Sequence, residues 1–523
     1  MLCYYHPSFA TSDVRGEFTF DVCVYGGTSG GVTAAVSAAR LGLKVVILEP
    51  AAEIGGMTAS GLGFTDIGNK AAIGGIAREF YRKIGAHYGV PEAWTFEPHV
   101  ALGVFNALAS EAGVVVHRRQ FLASVEKSGD RLVSVTTESG LTIRAVVFID
   151  ATYEGDLLGK AGVSHHIGRE DNSLYKETLN GAQVFAKHQF EHPVSPYVVA
   201  DDSGSGLLPG IETDQPVIGK GDRRLQAYNF RVCMTDAPEN RLPFQRPEGY
   251  DRQWYVLLSR HLAAGWKSVF NKFDRLRVRT KTDTNNHGAV STDFIGQNYR
   301  WPEASYAERE KMFQAHVAYQ QGLHWFMAND PEVSADIREA YSKWGLCRDE
   351  FTSTDGWPHQ LYVREARRMV SDYVMTEHEC RGHRVAPEPV GLAAYTMDSH
   401  NCQRFVDAHG HVRNEGDVQA HGFPPYPISY RSIVPKKGEC TNLIVPVCLA
   451  ASHIAYGSIR MEPVFMSLGQ VAAIAAQIAI KNGSSVQTVP YGDLAAALES
   501  AGVILKWDKV ATDADGGLHA HEA

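Results

Sequence analysis

The sequence predicts an α/β fold. A mostly parallel sheet begins in the first 165 residues, is interrupted by a long α+β insertion, and resumes near the C-terminus. Three observations predict it. Residues 21–49 run strand, glycine turn, helix, strand. Short β runs divided by turn residues follow as far as residue 152. After residue 441 a strand-like run, NLIVPVCLA, leads into the long alanine-rich helix PVFMSLGQVAAIAAQIAIKNG. The expected boundaries are 18–165 for the first part, 166–435 for the insertion, 436–490 for the returning part and 491–523 for a C-terminal tail, frayed over 511–523.

The opening unit carries the most specific signal. DVCVY (21–25) is β-rich, and Gly26, Gly27, Thr28, Ser29, Gly30 and Gly31 follow it. VTAAVSAARLG is helix-like, and KVVILE forms a second strand ending at Glu49, followed by Pro50. Gly26 permits the tight turn, Gly31 lets helix and strand pack closely, and the amides of the helix N-terminus face an anion. Glu49 lies 23 residues after Gly26, where a carboxylate accepts hydrogen bonds from a ribose diol. This is a Rossmann-like, dinucleotide-binding frame, with Thr28 in place of the usual middle glycine. The next run, PAAEIGGMTASGLGFTD, contains Gly55, Gly56 and Gly61 and suits a backbone passing beside a large flat ligand. That favours FAD over NAD.

Further along, 101–112 reads as an amphipathic helix, and VVVHRR, LASVEKSG, LVSVTTESG and AVVFIDAT read as a meander. The last run ends in Asp150, Ala151 and Thr152, with Gly155 and Asp156 close behind, at the strand end that faces a ligand. In the insertion, WYVLLSRHLAAGW, SYAEREKMFQAHVAYQQGLHWFM and LYVREARRMVSDYVM are predicted helices, and GSGLLPG (204–210) a loop.

Composition narrows the class. The chain has 523 residues, 44% hydrophobic and 21% charged, which excludes a largely disordered protein. Fifty Lys and Arg against 59 Asp and Glu give a net charge of −9, which argues against a nucleic-acid partner. Eight cysteines are scattered without a CxxC pair, and Cys23 sits in an apolar strand, so a reducing, cytoplasmic setting is expected. The N-terminus lacks a signal-peptide pattern. VAAIAAQIAI is half the roughly 20 apolar residues a spanning helix needs, so no membrane association is expected. An oligomer stays open.

These residues resemble a known group. GGTSGGVTAA, EIGGMTASGLGFTD, IGGIAREFY and FIDATYEGDLLGKAG are similar to FAD-dependent oxidoreductases of the glutathione-reductase-type fold. YNFRVCMTDAPENRLPF, NNHGAVSTDFIGQNY, YTMDSHNCQR, PYPISYRSIVPK and ASHIAYGSIRMEPVFMSLGQVAA narrow the resemblance to the group labelled FAD-dependent oxidoreductase or xanthan lyase. The resemblance implies FAD. It implies that the turn from Gly26 to Gly31, with Ser29, holds the pyrophosphate and Glu49 the adenosine ribose. Gly55, Gly56 and Met57 would line the flavin side, and Ala151 and Asp156 the adenosine–phosphate half. The segment Gly457 to Gln470, with Met461, Glu462 and Gly469, would be the C-terminal flavin segment. Thr28, Tyr153 and Glu154 depart from the group's pattern.

Oxidising a C–H beside a hydroxyl or amine needs a proton acceptor, and a histidine suits neutral pH. His453 is the first choice. Arg460 suits a substrate carboxylate or the flavin O2, with an internal ion pair to Glu462 or Glu365 as its alternative. Tyr456, His287 and His400 are further catalytic candidates, and Asp398 with His400 forms an acid–His pair if the two share one strand face. Arg364, Glu365, Arg367 and Arg368 (REARR) read as a helical ion-pair face or an anion-binding rim. His378, Cys380 and His383 lack regular spacing, so no metal is assigned. No GxSxG elbow marks a serine hydrolase. With no redox cysteine pair and no second nucleotide domain visible in the sequence, electrons are expected to come from an organic substrate over the flavin and to leave to oxygen or another carrier. The expected activity is oxidation of a small polar alcohol, sugar-derived molecule or amine by hydride transfer to flavin N5. Reduction of an unsaturated acid, or a non-redox lyase with structural FAD, are the alternatives.

Overall fold

The computed structural model describes residues 3–6 and 14–507, so the expected fraying of 511–523 lies outside the described residues. The chain begins with β1 (Gly16–Tyr25), α1 (Ser29–Arg40) and β2 (Val45–Glu49). The inner half of β1, VCVY, and all of β2 are buried, as expected for parallel strands covered on both faces. β1 starts before the predicted Asp21, extending along β6. The helix α2 (Pro98–Glu111) follows, then β3 (Val115–Arg118), β4 (Leu122–Ser128), β5 (Arg131–Thr137) and β6 (Leu141–Asp150).

These strands form a seven-stranded sheet in the order β3-β2-β1-β6-β5-β4, with the short strand Leu443–Ile444 also pairing β6. β1, β2, β3 and β6 are parallel, and β4 and β5 run antiparallel. VVVHRR is therefore not part of the meander. It closes the parallel half beside β2, because its apolar residues pair there with Val46 and Ile47. The register sets Tyr25 opposite both Leu48 and Asp150, so three strand ends line up at one edge. The returning C-terminal strand sets Leu443 opposite Phe148, so both ends of the chain build one sheet.

The insertion supplies β7 (His165–Ile167), β8 (Val232–Thr235), β9 (Arg241–Leu242), β10 (Phe273–Arg275), β11 (Lys281–Thr284), the long helix α3 (Tyr306–Asn329), β12 (Gly345–Cys347) and β13 (Arg367–Met369). Ser305 caps α3 with Glu308 in a reciprocal capping box. An antiparallel sheet runs β10-β11-β8-β12-β9, while β13 pairs with β7.

The predicted helix over LYVREARRMVSDYVM does not form. Arg367–Met369 is a strand, with Arg368 opposite His166, and Arg364, Glu365 and Arg368 are buried. The helix is overridden because each charge has a buried partner on another element, Asp293 for Arg364, His453 for Glu365 and Glu170 for Arg368, although Glu365 and Arg368 still meet at 3.5 Å.

After α4 (His453–Ile459) comes α5 (Glu462–Asn482), which packs along α1. At 21 residues α5 is long and apolar enough to cross a membrane, contrary to the expectation from its inner ten residues, but 83% of its apolar window is buried in the protein. The predicted tail begins with another helix, α6 (Tyr491–Ser500), because Leu494 and Leu498, one turn apart, are both buried.

Candidate cofactor cleft and active site

The cleft begins where the first strand meets the first helix. Gly26 sits at φ 97°, and a side chain there would meet the Thr152 amide nitrogen at 2.7 Å, so only glycine fits this turn. Thr28 is the N-cap of α1. Its hydroxyl donates to the Ala151 carbonyl (2.7 Å) and accepts from the Gly31 amide (3.2 Å). The residue that departs from the glycine pattern thus turns its polar atom into the protein.

Glu49 closes the far side. Its carboxylate accepts from the Gly27 and Ala51 amides, and burial nonetheless raises it to about 7. Gly26, Thr28, Glu49, Pro50, Gly56 and Tyr153 line one continuous cleft, with Tyr5 and Gln360 at its rims. Gly55 docks on this turn by donating to the Gly27 carbonyl (2.7 Å). Tyr153 spans the cleft. Its hydroxyl accepts from the Met57 amide (2.9 Å) and donates to Glu462 (2.8 Å), the first residue of α5. Burial raises the Glu462 carboxyl above its ordinary range against the Ser29, Thr58 and Tyr153 hydroxyls. Met461 caps α5, so this helix start borders the same space.

Two residues assigned to the cofactor are committed to protein contacts. Gly469 lies in the α1–α5 contact, where a side chain would meet the Gly30 carbonyl at 2.1 Å, and Gly30 packs there against Phe465. Asp156 lines the cleft, but its carboxylate is held by Arg309 (2.7 Å) and Arg367 (2.9 Å).

The catalytic candidates separate into three places. His453 is buried at the start of α4 with both ring nitrogens engaged: Nδ1 is 2.9 Å from each Glu365 oxygen and Nε2 is 2.9 Å from Ser399 Oγ. Tyr456, on the same helix, is buried in the core. His287 stands apart in the insertion, 3.2 Å from Asn271 Nδ2, where burial lowers it to about 4.

His400 and Arg460 come together. Nδ1 of His400 is 2.7 Å from Asp293, and Nε2 is 3.6 Å from Asp398, so the predicted acid–His pair is present with a second carboxylate opposite. Arg460 binds Asp398 (3.1 Å) and the Tyr362 hydroxyl (2.8 Å), not Glu462 or Glu365. Arg364 binds Asp293 (2.9 Å) and stacks on the Tyr362 ring, 4.3 Å from its centre. Against burial, His400 and Arg364 pull Asp293 down to about 2. Sequence reasoning missed Asp293 and Tyr362, although both lie in segments it singled out, NNHGAVSTDFIGQNY and LYVREARRMVSDYVM, because their partners are distant in sequence.

The sequence matches the family described as FAD dependent oxidoreductase over residues 21–498. The chain belongs to that family. No curated protein matches the chain. Solved structures with partial similarity include L-proline dehydrogenase from P. horikoshii, at 17% identity and TM-score 0.24 over 30% of this chain and 59% of that one. Thioredoxin reductase from Streptococcus pyogenes gives 22% identity and TM-score 0.19 over 28% and 36%. A geranylgeranyl bacteriochlorophyll reductase-like protein from Thermoplasma acidophilum gives 24% identity and TM-score 0.21 over 28% and 43%.

The family's cofactor is FAD, and this cleft fits it. With FAD in this cleft, the backbone amides at the α1 N-terminus would hold the pyrophosphate and Glu49 would take the adenosine ribose. The start of α5 sets its partial positive charge beside Met57 and Thr58, and the flavin would lie against it there.

Proposed function

We propose that this oxidoreductase oxidises a small polar substrate, an alcohol, a sugar-derived alcohol or an amine, with His400 as the proton acceptor. FAD, when bound, would supply the two-electron acceptor for this oxidation. The observation that carries the reading is the His400 geometry. With Nδ1–H donating to Asp293, the basic lone pair is on Nε2. At 3.6 Å, Asp398 is too distant to bind Nε2 strongly, which leaves that nitrogen open to a substrate proton. His453 is less available for this step because Glu365 and Ser399 occupy both its nitrogens. It orders α4 instead.

The charge pairing bears on the substrate. Arg364 and Arg460 each hold an internal carboxylate, which leaves neither free to clamp a substrate carboxylate. This favours a neutral or amine substrate over an unsaturated acid. Eight free, buried cysteines support a reducing, cytoplasmic setting. The test is anaerobic mixing of the holoprotein with panels of polyols, sugars and amines while the oxidised flavin band is followed. Bleaching by one of these that H400N loses while keeping its flavin supports the reading. Equal rates in H400N overturn the role of His400, and reoxidation of reduced flavin by enoates alone overturns the direction.

A further inference from the structure

The insertion contains a cysteine pair that the sequence does not reveal, because its members are 114 residues apart. Cys233 lies on β8 and Cys347 on β12, neighbouring antiparallel strands. The register sets Gly345 opposite Thr235 and Leu346 opposite Met234, so the next step sets Cys347 opposite Cys233. Their sulfurs are 3.6 Å apart, the one sulfur–sulfur hydrogen-bonding contact among the described residues. Directly opposed antiparallel residues have Cα atoms roughly 4.5–5.5 Å apart, within the span of about 4.4–6.8 Å that a disulfide bridges. Both side chains are fully buried, packed with Leu276 and flanked by Phe64 and Phe351.

We infer that Cys233 and Cys347 form a reversible dithiol–disulfide site in the insertion's sheet. The oxidant is a low-molecular-weight disulfide. One cysteine thiolate attacks it, forming a mixed disulfide and releasing one small thiol. The second thiolate then attacks the protein-bound sulfur and releases the other. The two cysteines lose two protons and two electrons, and one small disulfide becomes two small thiols.

The pair's setting determines its behaviour. The Cys347 hydrogen bond and burial push the Cys233 thiol well above its ordinary value, so exchange in the closed sheet is slow. It proceeds when the edge opens. β9 has two residues and β12 three, so little pairing holds that edge shut. The pair is also linked to a buried ion pair, because Phe64, beside it, donates its amide to Asp283 (3.0 Å), and Asp283 holds Arg231 (2.7 Å). A cross-link here pins the sheet beneath that loop.

The experiment equilibrates the full-length holoprotein in glutathione buffers of graded potential, with and without urea below the unfolding transition. Samples are acid-quenched, alkylated while denatured, digested and weighed. The expected result is a Cys233–Cys347 cross-linked peptide that appears with a two-electron dependence, and faster with urea, while the other six cysteines stay alkylated. C233S and C347S each abolish it. Two fully alkylated thiols at every potential, even in urea where access is not limiting, overturn the inference. So does cross-linking spread over other cysteines.

Discussion

Replacing Gly31 by alanine strikes the cofactor cradle where it is tightest. The new methyl would lie 1.9 Å from the Gly26 carbonyl oxygen, more than 1 Å short of the 3.0 Å that side-chain carbons keep, and 3.2 Å from the Ala151 methyl. Neither neighbour yields easily. The Gly26 amide is held by Leu48 and the Ala151 amide by Tyr25, both at 2.8 Å. The helix must therefore lift from β1. α1 is buried from Ser29 to Ala38 and packs along α5, so the lift costs about 1–3 kcal/mol of overpacking. It also draws the α1 amides from the pyrophosphate, and a loss of ~2 kcal/mol there weakens FAD about 30-fold. The assay is the flavin-to-protein absorbance ratio after gel filtration and dilution, with a thermal melt. Gly103→Ala is the control, because a side chain there meets nothing within 4 Å. We expect G31A to lose most of its flavin and melt earlier while G103A keeps both. Wild-type flavin affinity and melting in G31A would refute the cradle.

Two further outcomes follow from the buried acids and His400. Glu49 is raised from 4.5 to about 7, so in the apoprotein its contribution to stability is lost as pH rises through that span. Ribose hydroxyls donating to Glu49 favour its ionised form, so FAD binding releases a proton and tightens as pH rises through the same window. Titrations of FAD affinity at graded pH check this, and E49Q should flatten the profile. H400N should slow flavin reduction by substrate roughly 10²–10⁴-fold with flavin content unchanged, read by anaerobic stopped flow.

The nucleotide-binding half was legible because its chemistry is local. The turn from Gly26 to Gly31, the cap at Thr28 and the carboxylate of Glu49 all lie within one βαβ unit, where sequence spacing fixes geometry. The inner charged cluster was half legible. Asp398 and His400 are two apart, so sequence proximity brought them together, although the strand ends at Asp398 and His400 lies just beyond it. Asp293, which sets the His400 tautomer, is 107 residues away, and no pattern in STDF announces it. REARR misled because its charges repeat at helical spacing, whereas its conformation is decided by partners on other elements. The Cys233–Cys347 contact was illegible for the same reason: sheet register, not spacing, creates it.

That misread segment is what joins the parts of the molecule. Arg364 holds Asp293 in the insertion, Glu365 holds His453 on α4, Arg367 holds Asp156 beside the cleft, and Arg368 holds Glu170 and the Ala451 carbonyl. Four residues of this five-residue stretch thus tie the insertion, the returning C-terminal segment and the first part of the sheet. Buried pairs of this kind add little net stability over apolar packing, since desolvation offsets their attraction, but they fix one arrangement and penalise others. R368M should therefore leave Glu170 without its cation and Glu365 with His453 alone, and cost about 3–5 kcal/mol, seen as an earlier denaturant midpoint. Because Glu365 also orients His453, the melt should split into separate phases for the insertion and the sheet domain. A single transition at the wild-type midpoint would show that the segment is packed filler and that the three parts are held together by their apolar contacts.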